Sequence, residues 1–126
     1  MASRARPLSP HLQIYKPHLL MTMSIVHRAT GVALTFAALL LTWGLVAVAS
    51  GPLAFADFQE FMRSIVGRLI VAGFVVSMLY HFLNGLRHLN WDTGRGLDLR
   101  SSYVTGWSVV VLTPLLSALI LWLVWT

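Results

Sequence analysis

An all-α membrane protein with three transmembrane helices is the fold class this chain predicts, and three observations carry the prediction. Of its 126 residues, 57% are hydrophobic and only 10% are charged, against roughly 25% charged in an ordinary soluble domain. Charged side chains are absent from residues 29 to 56, 69 to 86 and 101 to 126, and about 20 apolar residues suffice to cross the hydrocarbon of a bilayer. So much apolar surface exceeds what one small core can bury, so the surplus faces lipid or other subunits.

A polar segment, residues 1 to 23, precedes the first helix, expected at about 24 to 50. The apolar run begins only near residue 29 and ends without an A-x-A-like cleavage site, so it is not read as a removed signal peptide. The turn Ser50-Gly51-Pro52 and the polar stretch Asp57 to Glu60 separate the first two spans. The second helix is expected at about 62 to 89, its terminal arginines snorkelling to the interfaces. Asn90 to Arg100, with Gly94 and Gly96, leads to a third helix at about 102 to 125. Trp43, Trp107, Trp122 and Trp125 fall near the expected span ends, where amphipathic rings sit at headgroup level. No internal repeat is present, and residues 1 to 126 read as a single transmembrane domain.

The net charge of +5 is distributed as membrane orientation. Arg4, Arg6, Lys16, Arg28, Arg87, Arg95 and Arg100 fall on the side of the N-terminus and second loop, with only Arg63 and Arg68 opposite. Seven against two predicts a cytoplasmic N-terminus. The basic residues form no aromatic-interleaved face of the kind that binds nucleic acid. With no cysteine, the chain supplies neither disulfides nor thiolate ligands for zinc or iron–sulfur clusters. The same topology brings Ser24, His27 and Arg28 to the membrane face that holds Arg87, His88 and Asp92.

His81 lies well inside the second uncharged run. An ionisable side chain at that depth is costly and marks a functional site by default, and imidazole is the usual protein ligand of haem iron. Gly85, one turn on, leaves room for a flat cofactor. His88 is seven residues further along, on the same face and about 10 Å away along the axis, too far to ligate the same iron from the same side. Being shallower and beside Arg87 and Asp92, it suits an interface or propionate contact. A core histidine hydrogen-bonded to a neighbouring helix explains His81 equally well on spacing alone.

Ser24 and Arg28, four residues apart, share a helix face at the membrane boundary. A hydroxyl and a fixed cation there could hold the carbonyl oxygen of a lipid-soluble quinone and stabilise negative charge as it is reduced. A plain helix N-cap beside a snorkelling arginine is the simpler explanation of the pair.

The stretches Arg6-Pro7-Leu8-Ser9-Pro10-His11, Ile14-Tyr15 and Ser24-Ile25-Val26-His27-Arg28-Ala29-Thr30-Gly31 resemble the cytochrome b556 membrane-anchor subunits of succinate dehydrogenase, respiratory complex II. So does His81 through Asp92, in the form His-x-x-x-Gly-Leu-Arg-His-x-x-Trp-Asp, and the likeness is to the mitochondrial and alphaproteobacterial branch. The resemblance implies a heteromeric helical bundle with a second small anchor subunit. It implies that His81 is an axial haem b ligand, the second axial histidine coming from that partner. It further implies that Ser24 and Arg28 line a ubiquinone pocket beside the iron–sulfur subunit, and that His27 and Arg28, with His88 nearby, lie in the propionate region. Asp92 and Arg87 match polar positions at the same boundary.

On that resemblance the chain catalyses nothing alone. A flavoprotein subunit oxidises succinate, an iron–sulfur subunit passes electrons to ubiquinone, and this chain anchors them on the bacterial inner membrane, spanning it several times. Three alternatives compete. A dihaem electron carrier needs histidine pairs at both depths, and the outer half of the spans has none. The others are a purely structural haem-free anchor and the anchor of a menaquinone-linked fumarate reductase. His11, His18 and Lys16 read as surface or interface groups, and Asn84 as a hydrogen bond between helices.

Overall fold

The structure, a computed structural model, describes residues 15–126, so Arg4, Arg6, Ile14 and the Arg6-to-His11 stretch lie outside the described residues. The described chain forms α1 (Leu19–Ser50), α2 (Pro52–Arg63), α3 (Ile65–Asp92) and α4 (Leu99–Trp125), with no strand among the described residues. α1, α3 and α4 are each long and apolar enough to cross a membrane. The three expected spans are therefore present.

Their ends differ from expectation for local chemical reasons. α1 begins at Leu19 rather than near residue 24, behind an extended His18 that gives no side-chain cap. Ser24 is thus inside the helix, and the N-cap explanation for it falls away. α1 ends at Gly51, whose φ of 112° only glycine adopts readily. Pro52 then opens α2 at a first-turn position where its missing N–H costs nothing.

α2 is a helix where the sequence reading placed a turn and polar linker. Phe55, Phe58 and Phe61 recur at helical spacing and turn inward, while Asp57 and Glu60 stay exposed. The Phe58 ring packs so closely on Gly44 that a Cβ there would lie 2.9 Å from Phe58 Cζ. Trp43 meets Phe58 edge-on at 4.9 Å and Phe61 at 5.2 Å. Its indole thus works as the dock that folds α2 back onto α1.

Ser64 breaks the chain between α2 and α3, with ψ of 161°, and its Oγ accepts from the Gly67 amide at 3.1 Å as an N-cap. α3 accordingly starts at Ile65, not near 62, and runs on to Asp92. The short loop to α4 turns on Gly94 and Gly96, with φ of 77° and 70°. Trp91 Nε1 donates to the Gly96 carbonyl at 2.9 Å and Asn90 Nδ2 to the Arg95 carbonyl at 3.1 Å. Asp98 caps α4 by accepting from the Ser101 amide at 2.9 Å, which starts that helix at Leu99 rather than 102.

The core is the seam where α3 meets α1 and α4. Met23, Tyr80 and Val109 are buried together there, and Tyr80 Oη donates to the Met23 carbonyl at 2.9 Å. Gly106 lets α4 close in, since a Cβ at that position would stand 3.1 Å from Met23 Sδ. Arg87 is buried in the α3–α4 contact. Its guanidinium donates to Thr105 Oγ1 at 2.9 Å, Asn84 Oδ1 at 3.0 Å and the Ser102 carbonyl at 2.9 Å. It also lies 4.2 Å from the centre of the Trp91 ring. Asn84, completely enclosed, bonds this arginine on its own helix rather than reaching across to another, which corrects the reading of it as an interhelical bond. The outward faces of α1, α3 and α4 carry exposed large apolar side chains, among them Phe36, Leu39, Phe82 and Leu115.

Two predictions follow from this packing. Arg87→Met keeps the length of the stem but leaves three acceptors at the α3–α4 seam without their donor. It should destabilise the assembled protein by about 3 kcal/mol, the scale of stranding buried partners of a charged group, seen as a lowered midpoint of thermal inactivation. At the start of α4, the Ser101 amide holds the Asp98 carboxyl below the usual carboxylate range. Its contribution is complete above the ordinary carboxylate pKa and is lost as pH falls through the lowered one. Asp98→Ala should therefore lower amide-exchange protection in the first turn of α4 at neutral pH, and acidification should do the same to the parent chain.

Candidate functional site

One turn of α1, His27 to Gly31, grips the imidazole of His81 on α3. The His27 ring stacks face to face on it, with centroids 3.9 Å apart and planes 12° apart. At Gly31 there is room only for hydrogen, because a Cβ would lie 3.1 Å from His81 Cε1. The edge of the ring is held as well. His81 Nδ1 is 3.1 Å from the His27 carbonyl oxygen and 3.2 Å from Thr30 Oγ1. A carbonyl oxygen can only accept, so Nδ1 carries the proton. The lone pair is therefore on Nε2, which makes no hydrogen bond among the described residues.

That protonation state is the one a metal-binding imidazole needs, with one nitrogen anchored by a backbone carbonyl and the other open. The stacked His27 ring lies on the face of the imidazole, beside the Nε2 axis and not across it. Among the described residues no group of three or more His, Cys, Asp or Glu side chains could hold a metal ion. A single ligating nitrogen suits a metal that brings its own equatorial ligands, as haem iron does. A Cβ added at Gly85, one turn beyond His81, would meet nothing within 4 Å. These features fit a flat, iron-centred cofactor against this face of α3.

The other expected residues divide into two groups. His88 joins the cluster, its ring 4.9 Å from that of His27 in an edge contact and 5.2 Å from Trp91. Nδ1 of His27 is buried with no hydrogen-bond partner among the described residues, so a polar group is left ready for a further acceptor or donor. Arg87, by contrast, is turned into the α3–α4 seam, where it donates three hydrogen bonds and lies over the Trp91 ring.

Ser24 is half-buried and Arg28 exposed. At about 100° per residue, Ser24, Arg28 and Gly31 share a stripe about 60° wide on α1. Arg28 therefore belongs to the turn that grips His81, and Ser24 precedes that turn on the same stripe. Neither Arg28 nor Asp92 makes an ion pair among the described residues, and Asp92 is exposed at the end of α3. Sequence reasoning assigned no role to Thr30, Gly31 or Tyr80. Their signal was present, since Thr30 and Gly31 stand three and four residues after His27, the spacing that puts all three on one side of a helix.

Comparison with known proteins gives the family. Residues 2–120 match the family described as succinate dehydrogenase/fumarate reductase transmembrane subunit. A succinate dehydrogenase cytochrome b556 subunit of Rickettsia typhi is 41% identical over 115 residues, covering 91% of this chain and 90% of that one. Its counterpart in Paracoccus denitrificans is 40% identical over 116 residues, covering 92% and 89%. The mitochondrial succinate dehydrogenase cytochrome b560 subunit of Bos taurus is 42% identical over 117 residues, covering 89% of this chain and 68% of that one. Matched along nearly its full length, this chain belongs to the succinate dehydrogenase/fumarate reductase transmembrane subunit family.

Proposed function

We propose that this chain is the haem b-binding membrane-anchor subunit of a succinate:ubiquinone oxidoreductase. The single observation that carries the proposal is the state of His81, with Nδ1–H spent on the His27 carbonyl and Nε2 left open at membrane depth. Family membership and relatives named as cytochrome b subunits of succinate dehydrogenase support the same reading. Those names point to the dehydrogenase rather than to the fumarate reductase that the family description also covers.

In this reading His81 would hold the haem iron through Nε2, and His27 and His88 would lie near its propionates. When bound, haem b supplies a one-electron store beside the quinone. The rest is the work of this chain's own side chains. α1 fixes the His81 ring by its edge and one face, so that Nε2 points in a constant direction. Ser24 donates a hydrogen bond to a quinone carbonyl oxygen. Arg28 holds its cation where charge develops on that oxygen, in a setting drier than water, where such a charge counts for more. The exposed apolar flanks of α1, α3 and α4 are met by lipid and by a second small anchor subunit, which would supply a further histidine to the haem iron. The flavoprotein and iron–sulfur subunits dock at the end bearing Ser24 and Arg28. That end faces the cytoplasm of a bacterial inner membrane, in keeping with the excess of Arg and Lys there, and residues 1 to 126 act as one membrane domain.

Two experiments test this. His81→Leu should abolish or strongly shift the haem optical spectrum of the purified complex, and an unchanged spectrum would remove His81 from the site. Arg28→Leu should slow succinate-driven quinone reduction about tenfold or more, as loss of a charged hydrogen-bond donor does. Ser24→Ala should slow it less. Both variants should leave succinate oxidation by an artificial dye near the parent rate, and parallel loss of the two activities in an assembled complex would count against a quinone role.

A further inference from the structure

Thr30 is the residue of the α1 turn whose side chain hydrogen-bonds the open-nitrogen histidine. Its hydroxyl donates to the His27 carbonyl at 2.9 Å, closing a local bond along its own helix. With its proton committed there, a lone pair of Oγ1 remains for the Nδ1–H of His81 at 3.2 Å. The same Nδ1–H lies 3.1 Å from the His27 carbonyl. One N–H is thus shared between two oxygens, and those oxygens are themselves joined by the threonine O–H.

Two acceptors on Nδ1–H do more than choose a tautomer. They draw the proton outward, which leaves more electron density on Nε2 and makes it a stronger donor to a metal. Such outer hydrogen bonds are one of the means by which a protein sets the potential of an iron centre. The carbonyl alone could keep the tautomer, so the hydroxyl adds strength, and Thr30 supplies it from a different helix than the ligand.

We propose that Thr30 is a positioning residue that sets the electron-donating strength of His81 and so holds the haem potential low. The inference rests on the reading of His81 as a haem ligand. It makes α1, which also carries Ser24 and Arg28, the helix that tunes the ligand on α3.

The test is an optical redox titration of the purified complex carrying Thr30→Val, which keeps the branched shape and removes the hydroxyl, beside Thr30→Ser, which keeps the hydroxyl. Thr30→Val should retain haem and shift its midpoint potential to more positive values, and Thr30→Ser should restore the parent potential. A parent potential in Thr30→Val would overturn the proposal and leave Thr30 as a local cap of the His27 carbonyl. If Thr30→Val fails to assemble, Thr30→Ala takes its place, with the same shift expected. Failure of Thr30→Ser to assemble together with both would assign the residue to packing through its methyl group, which also overturns the proposal. The His81→Leu spectrum keeps the two levels apart, because haem unaffected by that change sinks the ligand assignment itself. A potential unmoved by Thr30→Val in a protein that does need His81 sinks only the role of Thr30.

Discussion

Polar groups at membrane depth must find partners within the protein, because hydrocarbon offers none. α3 carries three of them, Tyr80, His81 and Arg87, whose partners lie on the other long helices. Tyr80 is satisfied by the Met23 carbonyl of α1, and Arg87 by Thr105 and the Ser102 carbonyl of α4. His81 is satisfied on one edge by α1 and left open on the other. The seam is thus fixed by a few directional bonds rather than by apolar contact, which cannot distinguish a neighbouring helix from lipid. Small residues where helices meet, Gly31 against His81 and Gly106 against Met23, let those bonds reach their lengths.

The consequence for chemistry is a division of labour along one turn. His27 contributes its ring as a stacking surface and its carbonyl as an acceptor, Thr30 its hydroxyl, and Gly31 its lack of a side chain. Ser24 and Arg28 share a stripe of the same helix with Gly31. A displacement of α1 relative to α3 would therefore disturb the anchored imidazole and the boundary pair together. Arg87, although part of the same stretch of α3, turns toward α4 and keeps that helix in register.

Much of the fold was legible in the residues. Three long uncharged runs are hard to place anywhere but in a membrane, and their order brings the first and second spans into antiparallel contact. What hydropathy could not reveal was α2, because counting charges marks Asp57 to Glu60 as a linker. Its helical signature lies instead in the spacing of Phe55, Phe58 and Phe61 and in the room that Gly44 leaves. Helix ends were misplaced where a cap outweighed composition, at Ser64 and at Asp98. Within the site, His81, His27 and His88 could be named because imidazole is conspicuous among apolar side chains. Spacing puts Thr30 beside His27 but not against His81, since a hydroxyl inside a helix most often bonds its own backbone, and only the approach of α3 shows that it does both. The direction of Arg87 was likewise out of reach, because it depends on how α4 returns.

The ten residues of α1 from Leu19 to Arg28 lie ahead of its uncharged run. They make up about 15 Å of the helix at 1.5 Å per residue, and Met23 and His27 within them meet Tyr80 and His81 of α3. On the proposed quinone role, a lipophilic substrate drifting sideways in the leaflet would meet Ser24 and Arg28 on this stretch broadside, its ring at the helix and its tail still in oil. Occupancy of such a berth is governed by how the molecule partitions between oil and water, so an apparent affinity measured in detergent micelles reports the micelle as much as the protein.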